Sequence, residues 1–432
     1  MTAGLLDAME AAAGTPPSDL DTISAHESAV RTYCRGTPVV FTRGRGSEIF
    51  DEHGHRYIDF LCAAGSLNYG HNDPQIKQAL LAYLQRDGIL QTLDFATAAK
   101  AAFLREFQAT ILGPRGLDYR VQFTGPTGTN SVEAAIKIAR KVTRRQNVVA
   151  FTNAYHGVSL GALALTGNRG KRSGAGVGLD QVTRLPFDGY PTIGDRAAAF
   201  ARQLLTDPSG GCDLPAAIIL ETVQGEGGLN CASGEWLAKI AALARELGAL
   251  LIVDDIQAGC GRTGSFFSFE PFGLVPDVVC LSKSISGCGL PMALTLIAPQ
   301  HDQWQPGEHN GTFRGNNLAF VGATAALGYW RDPAFAAQIA SLGTLVHARL
   351  EAIVDGLRPG RAGVAGRGLF KGLRFARAED AETLRLAALD LGVLTETCGP
   401  HDETLKVMPA LNIPLALAEE GLGLLARAAA RL

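Results

Sequence analysis

Between about residue 75 and about residue 300, the short apolar runs NVVAFT, AAIILE, ALLIVDD and DVVCLS alternate with stretches of helical period, NSVEAAIKIARK and GEWLAKIAALARELG. Strands without polar alternation, separated by helices, predict an α/β fold with a mostly parallel central sheet covered on both faces. Upstream, TPVVFTRGRGSEIFDEHGHRYIDF alternates and is punctuated by Gly44, Gly46 and Gly54. That pattern predicts two or three short antiparallel strands joined by tight turns. Beyond about residue 330 a long helical pattern precedes GRGLFKGLRFA, GVLTET and TLKVMP, which reads as a smaller α/β unit. Residues 1–23, rich in Ala, Pro, Asp and Ser, read as a leader with at most one short helix.

Composition narrows the ligands more than the fold. At 432 residues, with 47% hydrophobic and 19% charged positions, the chain can bury a sizeable core. A net charge of −3 gives no electrostatic reason to expect nucleic acid or an acidic membrane surface as partner, so small molecules are expected. The eight cysteines form no CxxC pair and no metal-like spacing with histidine, so neither a disulfide scaffold nor a metal site is expected. A reducing cytoplasm fits that usage. No basic region followed by a long apolar stretch opens the chain, and no run reaches the length of a membrane span.

Parallel sheets bind ligands outside the carboxyl ends of their strands, and two candidate groups occupy that position. Asp254 ends ALLIVD, and Lys283 lies just past VVCLS. An amine that can condense with an aldehyde and a carboxylate that can hold a pyridine nitrogen protonated are the pair pyridoxal phosphate (PLP) chemistry requires. Alone, Asp254 reads equally as a loop cap, and a lysine is ordinarily a solvated surface residue. Asp255 should point away from Asp254. Gln257 either returns to the cofactor side or bonds its own loop.

Three further segments could complete such a site. In FTGPTGTNSVEAAIKIARK, Gly125 and Gly128 precede a helix whose free amides would suit a phosphate, with Asn130 and Glu133 as the expected cap. Tyr155 and His156 in FTNAYHG follow a strand end, where an aromatic face either stacks on a planar ligand or fills the core. ETVQGEGG offers Glu221, Gln224 and Glu226, which either tune a cationic centre or cap the loop.

Together, ETVQGEGG, LIVDDIQAGCGRTG, LSKSISG and GEHNGTFRGNN resemble, in family order, the class III, ornithine-type aminotransferases of fold type I, over essentially residues 30 to 430. VRTYCRGTPVVFT, YIDFLCAAGSLNYGHN, GPRGLDY, FTGPTGTNSVEAAIK and PFDGY look like the diaminobutyrate subfamily within that class. The resemblance implies a large PLP-binding domain over 75–325 and a small domain over 326–432, against which the segment 24–74 packs. It implies an active site shared across a cytoplasmic homodimer. It also implies exchange of the amino group of L-glutamate for the aldehyde of L-aspartate 4-semialdehyde, giving L-2,4-diaminobutyrate and 2-oxoglutarate as in ectoine biosynthesis. Another terminal-amine transaminase, or an isomerase similar to the 2,1-aminomutases, is the alternative.

By matching position, the resemblance implies that Lys283 binds PLP covalently and Asp254 partners the ring nitrogen. Gln257 would contact the ring oxygen, Tyr155 stack on the ring with His156 and Glu221 beside it, and Gly128 and Thr129 hold the phosphate. Thr312 would reach the phosphate in the neighbouring subunit. Glu226 matches the glutamate that masks a carboxylate-binding arginine in the class. Here the sequence departs from the pattern, because Lys406 stands at the arginine position and lacks its bidentate fork. Arg314, beside Thr312, is either its replacement or an interface residue.

Overall fold

A computed structural model describes residues 18–432. Of the expected leader, residues 1–17 lie outside the described residues, and Asp19–His26 is a helix capped by Ser18.

The apolar runs assemble into a seven-stranded sheet in the order Arg120–Phe123, Leu294–Ile297, Val278–Leu281, Leu250–Asp254, Ala217–Leu220, Val148–Phe151, Val182–Leu185. Leu294–Ile297 alone runs antiparallel to its neighbours, so the sheet is mostly parallel as expected. Alternate residues of each strand enter different cores. Val149, Leu220, Leu251, Val253 and Val279 pack toward the helix Gly234–Leu247. Val148, Ile219, Leu250, Ile252 and Val278 pack beneath the helix Gly128–Thr143, through its buried Val132, Ile136 and Ala139. Both faces are therefore apolar, which is why these strands show no polar alternation.

The amino-terminal alternation forms three antiparallel strands, Phe41–Arg45, Glu48–Asp51 and Arg56–Asp59, and the last pairs in parallel with Val393–Leu394. A further four-stranded sheet contains Ala362–Arg367, Phe370–Phe375, Thr404–Val407 and Glu396–Cys398. A separate apolar cluster joins these parts: Ile58 and Phe60 pack with Ile339, Leu373, Leu405 and Leu422. Among the described residues, no helix is long and apolar enough to cross a membrane.

One buried arginine ties distant segments together. Arg262 is wholly buried and donates to Asn68 Oδ1 at 2.5 Å, to the carbonyl of Pro409 at 2.5 Å and to that of Leu369 at 3.3 Å. Removing one side of such a buried network strands the other. Arg262→Ala should lower the free energy of unfolding by about 3–5 kcal/mol. Denaturant titration checks this; a change under about 1 kcal/mol would show the network to be dispensable.

Candidate active site

The site grows from the ends of three adjacent strands. Asp254 terminates its strand 5% exposed, and its Oδ2 lies 2.7 Å from His156 Nδ1, while Oδ1 accepts the Ile256 amide at 3.2 Å. Strand alternation sends Asp255 to the opposite face, where its Oδ2 accepts the Ser268 amide at 3.0 Å. His156 is fully enclosed, and its Nε2 has no partner among the described residues. Burial works against the charged imidazole, but the bond to Asp254 outweighs it and raises the His156 pKa. With its proton on Nδ1, His156 donates to the Asp254 carboxylate and fixes its orientation.

Lys283 opens the short helix Lys283–Ser286, directly after the neighbouring strand Val278–Leu281. Its backbone is left-handed, φ 51°, a conformation that costs a residue with a side chain on the order of 1–3 kcal/mol. Burial lowers the Lys283 pKa. The nearby Glu226 opposes that effect, and Lys406 adds to it. The amine is therefore easier to deprotonate than a solvated lysine, as a nucleophile must be.

The helix Gly128–Thr143 starts at Thr127, not at Asn130 as expected. Asn130 Nδ2 instead donates back to Thr127 Oγ1 at 2.8 Å. Glu133 turns away from the helix start and accepts from Ser159 Oγ at 2.6 Å and from the Ala162 amide at 3.0 Å. No side chain caps this helix, which leaves its first amides and positive dipole end for an anion. A Cβ at Gly128 would lie a tight 3.1 Å from the Ile256 side chain. Thr129 Oγ1 bonds to Ser159 Oγ and accepts the Ser159 amide at 3.3 Å.

Glu221 clamps the intervening loops, accepting the Tyr155 amide at 3.0 Å and the Gly225 amide at 3.3 Å. Tyr155 is half-buried, with Lys171 Nζ 5.5 Å from its ring centre. Gln257 donates to the Ala64 carbonyl at 3.0 Å and to Glu226 Oε1 at 3.4 Å. The Ala63 and Ala64 backbones that meet it are left-handed, φ 47° and 56°.

Lys406 is fully buried between two carboxylates, 2.8 Å from Glu226 Oε1 and 2.6 Å from Glu396 Oε1. Antiparallel pairing sets Glu396 directly opposite Lys406. Despite burial, the two anions raise the Lys406 pKa well above its ordinary value. Burial alone would raise the Glu226 carboxyl; Lys406 and Lys283 overcome it and hold the pKa at about 2. Sequence reasoning missed Glu396, because the partnership becomes visible only once the strand register is known. It also missed Ser159, Ala64 and Tyr33, whose phenol reaches Glu396.

Arg314 does not join this cluster within the chain. It pairs with Asp94 Oδ2 at 2.5 Å and donates to the His309 carbonyl at 3.3 Å. Thr312 beside it is exposed, and Phe313 is 66% exposed. Neither residue meets the Asp254–Lys283 centre in the chain's own contacts.

The buried carboxyls set a pH dependence. Burial pushes Glu221 up to about 7 from 4.5 and Asp255 up to about 7 from 3.8. A carboxyl with a raised folded pKa favours the folded state while protonated, so its contribution is lost as pH climbs from the unfolded to the folded value. His156, also raised, contributes fully below its ordinary 6.5 and loses that contribution as pH rises through its folded value. The cofactor-free protein should therefore become less stable between pH 4.5 and about 7, with Glu221→Gln making the decline shallower. Urea midpoints across that range check this; a rising midpoint contradicts it.

A free amine at one strand end, a histidine-braced carboxylate at the next and an uncapped helix start fit PLP by donor type: aldehyde, pyridine nitrogen and phosphate each find a matching group. The sequence matches the family described as aminotransferase class-III over residues 31–429, and the chain belongs to that PLP-dependent family. It is 52% identical to the diaminobutyrate--2-oxoglutarate transaminase of Virgibacillus pantothenticus, the match covering 92% of this chain and 94% of that one. It is 53% identical to the enzyme of that name from Streptomyces avermitilis, covering 95% and 97%. Among solved structures it is similar to the ornithine aminotransferase of Toxoplasma gondii crystallised with PLP partly occupying the active site. That likeness has a TM-score of 0.83 and 25% identity, covering 99% of this chain and 97% of that one.

Proposed function

We propose that the chain transfers the amino group of L-glutamate to the aldehyde of L-aspartate 4-semialdehyde, giving L-2,4-diaminobutyrate and 2-oxoglutarate. The observation that carries this reading is about 50% identity over most of the chain to transaminases named for that reaction. Bound PLP stores the amino group between the two half-reactions and withdraws electrons from the substrate carbon. Lys283 Nζ takes the proton from the α-carbon of glutamate in one half-reaction and works at the terminal carbon of the diamine in the other. The Asp254 carboxylate, braced by His156, holds the ring nitrogen protonated. Gly128 and Thr129 would hold the phosphate at the helix start, and Tyr155 and Gln257 would hold the ring. Glu221 positions Tyr155, while Glu226 and Lys406 face the substrate.

Two copies sharing their sites would give Thr312, Phe313 and Arg314 a role, since all three stand apart from their own chain's Lys283 centre. On the same reading the protein is a cytoplasmic homodimer serving ectoine synthesis. The large domain spans 75–325 and the small domain 326–432 joined by 24–74; two apolar cores on the central sheet, and a separate one that gathers Ile58 and Phe60 with carboxyl-terminal residues, support the division.

An amino-acceptor screen with glutamate as donor tests the reaction. Aspartate 4-semialdehyde should give the highest kcat/KM; preference for glutamate 5-semialdehyde or succinate semialdehyde would replace this reading with an ornithine or 4-aminobutyrate transaminase.

A further inference from the structure

Lys406 cannot present a positive charge simply by losing Glu226. When the Glu226 side chain turns away, Lys406 still has Glu396 Oε1 at 2.6 Å, and the remaining pair is neutral. Both residues are buried and their backbones are paired in a hairpin register, which keeps Glu396 opposite Lys406 when the loop residue Glu226 moves. A substrate carboxylate arriving here meets no net attraction while Glu396 is ionised. We infer that Glu396 is a specificity-determining residue that takes up a proton when a dicarboxylate substrate binds, releasing the charge of Lys406 for the incoming carboxylate. This rests on the proposed glutamate and 2-oxoglutarate half-reaction.

The surroundings favour that proton. Burial raises the Glu396 pKa against the opposing pull of Lys406 and Lys283, and a second carboxylate beside Lys406, Glu226 before substrate binds and the substrate's own afterwards, raises it further. Tyr33 and Cys398 are the other titratable groups facing it, and the pKa of each is raised, burial being the first cause, so both remain neutral. While it faces Lys406 and Lys283, Glu226 is the stronger acid of the two carboxyls. Lys406 is held charged. Glu396 is therefore the member of the cluster whose charge can change.

Calorimetric titration of the PLP-loaded enzyme with glutarate, a dicarboxylate lacking the reactive amino and keto groups, tests the inference. Running it in two buffers of different ionisation enthalpy reads proton uptake directly. Wild type should take up one more proton per glutarate than Glu396→Gln in the alkaline range, and its affinity should fall about tenfold per pH unit there. Glu396→Gln should bind with little pH dependence, and Glu396→Asp should restore the uptake. The unaltered absorption band of bound cofactor and the melting temperature confirm that each variant is folded and loaded. Equal proton uptake by wild type and Glu396→Gln, with glutarate bound to both, overturns the role of Glu396 alone. Failure of glutarate to bind either protein overturns the dicarboxylate half-reaction as well.

Discussion

Lys283→Ala should abolish transamination in both directions and remove the absorption band that wild type shows with PLP. The expected loss exceeds about 10⁴-fold, the upper end of what a positioned proton carrier contributes, because the proposed role of this residue is both to anchor the cofactor and to move the proton. Its placement supports the size of the effect: the amine follows a buried strand directly, has a lowered pKa and sits on a left-handed backbone. No other described lysine combines these features. Lys406, the fully buried lysine at the site, is locked between Glu226 and Glu396 and has its pKa raised instead. It cannot substitute as a base. Turnover of Lys283→Ala at close to the wild-type rate would show that the reactive amine lies elsewhere.

Asp254→Ala has a different expected signature. The variant should keep the covalent attachment at Lys283, and therefore the absorption band, while proton abstraction slows by about 10²–10⁴-fold, comparable to losing one positioned acid–base group. The structure adds a second consequence. Without the carboxylate, His156 loses its only ring hydrogen bond among the described residues, at 2.7 Å, and its raised pKa should fall, because burial is then opposed by Glu221 alone among its carboxylate neighbours. Single-turnover spectroscopy with glutamate measures the first effect, and titration of the His156 ring signal by NMR measures the second. An unchanged rate would remove the carboxylate from the electron-withdrawing role.

The sequence made the sheet and its functional edge legible because both follow from local patterns. Continuous apolar runs such as ALLIVDD report a strand covered on both faces, and the polar residue ending such a run lies at the ligand-binding edge. Asp254 and Lys283 could be placed from that alone. The opposite directions of Asp254 and Asp255 also followed, since strand alternation needs no tertiary knowledge. The helix start was misplaced for a similarly local reason. Asn130 and Glu133 have the spacing of a cap, but a threonine three residues earlier begins the helix, and Glu133 is drawn to Ser159 on another segment.

What stayed hidden depends on contacts between distant residues. Glu396 lies in a short strand with nothing unusual around it, and its importance comes from standing opposite Lys406. Arg314 looked like a substitute for the missing arginine by type and neighbourhood, yet within the chain it is committed to Asp94 and the His309 carbonyl. The departure from the class pattern at Lys406 is thus met by a second carboxylate, an arrangement no single motif contains.

One site serving two amines of different kind is the central claim, and a half-reaction titration of the PLP-loaded enzyme tests it most directly. With no keto acid present, L-glutamate and L-2,4-diaminobutyrate should each, added separately, convert the absorption band of the bound cofactor to that of its aminated form. They should do so with a stoichiometry of one amine per site. A band that responds to only one of the two compounds, or to neither, would contradict the proposed exchange.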